Sequence, residues 1–191
     1  ARSYEITASV EGTRTSLEGA DVRWSANDAL GIFSGTKFVN AKFTTKDDNA
    51  ASATFTGDAT DAEGTEAAKA FAYYPYAAGA TLEGTTVSGL EILAVQTFAE
   101  GTFATTLNPM AAVGEDHTSL AFRSVGAVLR FKLTGTDTFN KLILTGNNDE
   151  SIAGAYALDF SGEVPAMTFS GEGKSITVTC ASDVTLKTDV A

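Results

Sequence analysis

Ser124-Val125-Gly126-Ala127-Val128-Leu129-Arg130-Phe131-Lys132-Leu133 alternates with a period of two. Val125, Ala127, Leu129, Phe131 and Leu133 fall on one side, and Gly126, Val128, Arg130 and Lys132 on the other. Successive side chains of an extended chain point to opposite faces, so this spacing predicts a strand with its apolar face on a core. The same reading extends outward. Tyr4, Ile6, Ala8 and Val10 share a face against Glu5, Thr7, Ser9 and Glu11. Val22 and Trp24 repeat the alternation, and Leu30 and Ile32 resume it after an Asn27-Asp28 turn. Short candidates follow at Phe38–Phe43, Ala53–Thr56, Phe71–Tyr76 and Leu90–Val95. Others are Lys141–Thr145, Ala155–Phe160, Ala166–Phe169 and Ser175–Cys180. Gly, Asp and Asn clusters bound them, as expected between strands. Helical spacing is confined to Asp61–Ala70, where Gly64 breaks it at a cost of about 1 kcal/mol relative to alanine. Many short strands separated by frequent turns predict an all-β sandwich rather than a βαβ fold.

Composition agrees. The 191 residues are 43% hydrophobic and 19% charged, with eighteen glycines and three prolines, which excludes a disordered chain. No apolar run approaches the roughly 20 residues of a membrane-spanning helix. The net charge of −11 opposes association with phosphate backbones or anionic lipid, so no nucleic-acid partner is expected. Residues 1–20 show no basic segment leading into an apolar one, so the chain reads as cytosolic or as already relieved of an export signal. A polar, turn-rich stretch from Asn108 to Asp116 places a boundary near Gly114–Thr118. The expected division is 1–118 and 119–191.

The inventory for catalysis is poor. His117 is the only histidine; Asp116 and Ser119 flank it in a loop, and no G-x-S-x-G elbow exists, so His117 reads as a solvated loop residue. Gly171-Glu172-Gly173-Lys174-Ser175 ends like a phosphate loop, but Thr168 stands where its first glycine is needed and a strand pattern follows. A hairpin turn is the expectation there. Asp47-Asp48-Asn49 and Asn147-Asn148-Asp149-Glu150 lack the ligand spacing and central glycine of a calcium loop and read as turns. Cys180, the sole cysteine, allows no intrachain disulfide, and its alignment with Ile176 and Val178 predicts a small buried core residue. Tyr73, Tyr74 and Tyr76 alternate about Pro75, which favours core and turn anchoring over a sugar-stacking row. Neither a catalytic centre, a metal site nor a cofactor is expected.

An ordered set of short segments resembles the Bacteroides-type fimbrillin-like family. These are Thr13-Arg14-Thr15-Ser16-Leu17-Glu18-Gly19, Val22-Arg23-Trp24-Ser25-Ala26-Asn27-Asp28 and Leu30-Gly31-Ile32-Phe33. Phe71-Ala72-Tyr73-Tyr74-Pro75-Tyr76 follows, then Gln96-Thr97 and Asn108-Pro109-Met110-Ala111. Phe122–Phe131 is similar to the first strand of the family's second domain, and Ile143–Asn147 with Ile152-Ala153-Gly154 completes the set, spanning residues 4 to 180.

The resemblance implies two transthyretin-like β-sandwich domains in tandem and export as a lipoprotein to the outer membrane. It implies a non-enzymatic fimbrial subunit or adhesin at the cell surface. Subunits of that family assemble when proteolysis removes an N-terminal strand and a neighbour's strand replaces it, a form of strand addition. Other fimbrial subunits are the implied partners, with host protein or glycan as the adhesin's target. Arg2 or Arg14 corresponds to the processing arginine. The lipid-bearing cysteine is absent, and Cys180 does not stand in for it, so contact with a membrane would run only through an anchor outside this chain. A monomeric surface sandwich that binds glycan or host protein is the alternative. The second domain is short, with Val184, Leu186 and Val190 still alternating near its end. The expectation is a truncated product, or an edge completed by another copy or by a donor strand.

Overall fold

The computed structural model describes residues 3–10, 22–100, 102–103 and 107–188. Arg2, Arg14 and Val190 therefore lie outside the described residues. The fold is all-β, as the alternation predicts, and the described residues include no helix.

Seven strands close a barrel. They are β1 (Ser3–Val10), β2 (Ala29–Ser34), β3 (Phe38–Thr45), β4 (Ser52–Asp58), β5 (Ala70–Tyr74), β10 (Met110–Gly114) and β11 (Ser119–Ser124), in the order β1-β11-β10-β5-β2-β3-β4. Between β5 and β10 run β6 (Thr81–Glu83), β7 (Thr86–Ile92), β8 (Val95–Ala99) and β9 (Thr102–Phe103). After β11 come β12 (Thr138–Thr145), β13 (Gly154–Asp159), β14 (Ala166–Phe169) and β15 (Ser175–Thr185). These eight make two four-stranded sheets, β14-β13-β7-β6 and β12-β15-β8-β9. The division expected after residue 118 does not coincide with a break in pairing: β11 joins the barrel, β13 pairs with β7, and β15 pairs with β8.

Two cores follow from the period of two. Ile6, Ala8, Leu30, Ile32, Phe43, Phe55, Leu120 and Phe122 point into the barrel around Trp24. The other face of β2, β5 and β10 supplies Phe33, Tyr73 and Ala111, which pack against Val87, Leu90, Tyr156 and Leu158 of the β14-β13-β7-β6 sheet. Strands buried on both faces read as nearly continuous apolar runs, which is why Ala29–Ser34 and Ala70–Tyr74 look as they do. Gly31 fits the same logic. A Cβ there would collide with the ring of Tyr73 on the paired strand.

The third sheet differs. Leu142 lies opposite Val178 and Leu144 opposite Ile176, so their side chains share one face. All four are only half-buried, and none belongs to either core cluster. Cys180, expected to be a buried core residue, is half-buried for the same reason.

The clearest disagreement is at Ser124–Leu133. The strand ends at Ser124, and residues 125–137 form none. Leu129 is 60% exposed, and Phe131 and Leu133 are exposed with it, so the expected core face is turned to solvent. A strand needs a hydrogen-bonded neighbour as well as a pattern, and none of the described strands pairs with this segment. Smaller corrections concern other elements. Trp24 makes an isolated bridge to Ala50 rather than lying in a strand. Leu90–Val95 is split between β7 and β8.

Candidate functional site

The first strand occupies an unusual place. It closes the barrel by pairing antiparallel to β4, with Ile6 opposite Phe55, and parallel to β11, with Ala8 opposite Leu120. Among the described barrel strands, β1 and β11 form the one parallel pair. A cut between β1 and β2 would separate β1 from the strands that follow it.

Its inner face is graded in size. Ile6 and Ala8 are fully buried, while Tyr4 and Val10 pack against the core from its two ends. At the centre, Trp24 Nε1 donates to the carbonyl oxygen of Ala8 at 3.0 Å. The indole is itself held edge-on by Phe55, Tyr74 and Phe122, with ring centroids 5.0, 5.4 and 5.3 Å away. Such pairs place the positive edge of one ring against the negative face of the next. Beneath them, buried Asp28 accepts from Tyr74 Oη at 2.8 Å and from the Ser25 amide at 2.8 Å.

A polar clasp holds the start of β1. The ring of Tyr4 meets Phe38 and His117 edge-on, and Lys37 Nζ lies over it at 5.4 Å. Glu66 joins the two basic groups: His117 Nδ1 is 2.7 Å from one carboxylate oxygen and Lys37 Nζ 3.3 Å from the other. Beside it, hydrogen bonds from the Thr118 hydroxyl and amide hold the Asp116 carboxyl below its ordinary range, while the Thr118 carbonyl accepts from Thr7 of β1. His117 is therefore a packed tie rather than the solvated loop residue expected. Ser119 begins β11, and no triad with Asp116 is assembled in any contact described. Nothing in the sequence pointed to Lys37 and Glu66, because the three polar partners come from separate loops.

The remaining candidates resolve into structure. Gly171–Lys174 joins β14 to β15, which lie in different sheets, so it is a crossover rather than a hairpin; Gly173 sits against the carbonyl of Ala153, where a Cβ would not fit. Asp47 accepts from the Thr54 amide and Asp48 from the Ala26 amide. Asp149 pairs with Lys174, and Glu150 accepts from the Asn148 amide. The Glu150 bond lies within its own turn and the other three tie separate stretches of chain together; among the described residues no cluster of three or more metal-ligating side chains occurs. Tyr73 and Tyr74 are buried, with Tyr73 Oη donating to Asn40 Oδ1 at 2.6 Å, and Lys42 covers the ring of Tyr76. They form anchors, as the alternation predicted, and present no stacking row.

Comparison with protein-family models, with curated proteins and with solved structures finds no match to this chain.

Proposed function

We propose that the protein is a non-enzymatic structural subunit or adhesin of cell-surface fimbriae, assembled by β-strand addition after β1 is cut away. The observation that carries this reading is the topology of β1. This strand closes a barrel between β4 and β11, which would both be left with unpaired edges, above an apolar interior. Main-chain groups along β4 and β11 would supply affinity for a replacement strand, and the graded pockets under Tyr4, Ile6, Ala8 and Val10 would supply register. Arg14 stands four residues beyond the end of β1, and Arg2 just before its start. Cleavage after Arg14 would free β1 whole; cleavage after Arg2 would leave it attached.

In this reading the barrel with its packed sheet corresponds to the first of two transthyretin-like domains. The β12-β15-β8-β9 sheet belongs to a second, whose apolar face is met by further strands. Export as a lipoprotein and residence at the outer membrane belong to the same proposal.

The test is limited digestion with an arginine-specific protease followed by size-exclusion chromatography. Polymers that appear only after a cut at Arg14, with β1 lost by mass, are the expected result. A cut chain that remains monomeric overturns the reading.

A further inference from the structure

The chain that links β11 to β12, residues 125–137, is open to solvent along its middle. Residues 127–134 form neither strand, turn nor bend, and residues 128–134 are all exposed. Backbone bonds lie only at its borders, from the Val125 amide to the Pro109 carbonyl and from the Gly135 amide to the Lys187 carbonyl; among the described residues none is made in between. Midway stands Arg130, whose side chain has no hydrogen bond or ion pair among the described residues. We infer that the Arg130–Phe131 bond is a processing site for an arginine-directed endoprotease, and that the cut molecule persists as two associated pieces. This inference is independent of the release of β1.

An endoprotease takes its substrate as an extended strand, bonding the main chain and seating alternate side chains in pockets. A segment whose amides and carbonyls are already paired has to open first, and the free energy of that opening slows cleavage. The stretch about Arg130 needs no such opening, and Leu129 and Phe131 beside it are 60% and 52% exposed. Charge selects the class of enzyme. An acidic group at the base of the primary pocket gives a protease its preference for a basic side chain. No Asp or Glu lies between Asp116 and Asp137, although the chain as a whole carries −11, so this stretch does not repel such a pocket. The other described arginines are held in paired backbone. Arg23 bonds the Asn49 carbonyl and adjoins the bridge between Trp24 and Ala50, and Arg123 lies opposite Ala111 in β11. Hydrolysis breaks the C–N bond between Arg130 and Phe131 and adds one water, its hydroxyl to the Arg130 carbonyl carbon and its hydrogen to the Phe131 nitrogen. The pieces stay joined because β13 pairs with β7 and β15 with β8, and because Tyr156, Leu158 and Phe160 are buried in the second core.

The experiment is a timed digestion of the whole folded chain with an arginine-specific protease, the products identified by mass. Arg130 is the last arginine in the sequence, so the cut yields an intact piece of residues 131–191 whatever happens at Arg2 or Arg14. The initial rate at Arg130 should exceed that at Arg123 by about tenfold or more, because the second cut requires β11 to open. On size-exclusion chromatography the two pieces should elute together in native buffer and part in urea. Arg130→Gln, a change at an exposed position, should fold like the parent and lose this cut alone. A chain uncut at Arg130, equal initial rates at Arg123 and Arg130, or pieces that part in native buffer overturns the inference. None of these outcomes decides whether β1 is released, which is read from the cut at Arg14.

Discussion

Trp24 and Ala8 are joined through the backbone of one and the side chain of the other: the indole N–H reaches the Ala8 carbonyl at 3.0 Å, with both residues fully buried. This bond ties the first strand to the centre of the barrel by a residue that lies outside the barrel's own strands. A carbonyl that already takes part in strand pairing can accept a second hydrogen bond, because it has two lone pairs.

Trp24→Ala removes that bond and three edge-on ring contacts together. The expected loss is about 3–5 kcal/mol of stability, the range for truncating a buried aromatic. Urea unfolding followed by tyrosine fluorescence measures it, and faster amide exchange along Ser3–Val10 should accompany the change.

Leu129 and Leu158 have the same side chain and opposite surroundings, one 60% exposed and the other fully buried. Leu158→Ala is expected to cost about 2–5 kcal/mol. Leu129→Ala should change stability by less than about 0.5 kcal/mol in the monomer. Parallel denaturant curves of the two variants test the contrast directly. A large effect at Leu129 would place its segment in a core.

Gly31→Ala puts a methyl group into the ring of Tyr73 across the β2–β5 pairing. The ring has little freedom, because its hydroxyl is fixed by Asn40 and by the carbonyl of Ala77. Overpacking of this kind costs about 1–3 kcal/mol. Pairing the substitution with Tyr73→Leu, which vacates the ring's place, should recover part of the loss in thermal melts; equal losses in both backgrounds would show that the ring is not the obstacle.

Alkali should weaken the second core. Burial pushes the Tyr156 hydroxyl up to about 12, and Tyr73 also lies well above the ordinary phenol range, chiefly through burial. An unfolded tyrosine ionises near 10. Between those values the unfolded chain gives up protons that the native chain retains, so native stability is intact below about pH 10 and falls as the pH rises toward 12. For Tyr156 the fall amounts to roughly 2 kcal/mol. Unfolding curves at intervals across this range should show a smaller decline for Tyr156→Phe than for the parent. An identical decline would exclude Tyr156 as its source.

Much of the barrel was legible because its strands report their own burial. Phe38–Thr45 alternates buried and exposed residues along nearly its whole length, and the sequence pattern is the same pattern. The candidate at 166–169 coincides with β14 to the residue. Local turn chemistry was readable at one point: Asn27 adopts a positive φ where an Asn-Asp turn was expected. The aromatic tyrosines, too, declared themselves as anchors through their alternation about Pro75.

Alternation determines which side chains of this chain can share a face; it does not determine what lies beside the strand. Tyr4–Val10 and Val125–Leu133 carry equivalent patterns, yet one closes a barrel and the other stands in solvent. The difference is made by backbone partners far away in sequence, Ser52–Asp58 and Ser119–Ser124 for the first strand, and no such partners for the second segment. The clasp of Lys37, Glu66 and His117 on Tyr4 has the same origin, since loops distant along the chain meet only once the barrel has closed. Composition and periodicity set the all-β class, whereas strand order and the position of β1 in the seam were decided by long-range pairing, whose energy resides in hydrogen bonds and contacts that no local stretch contains.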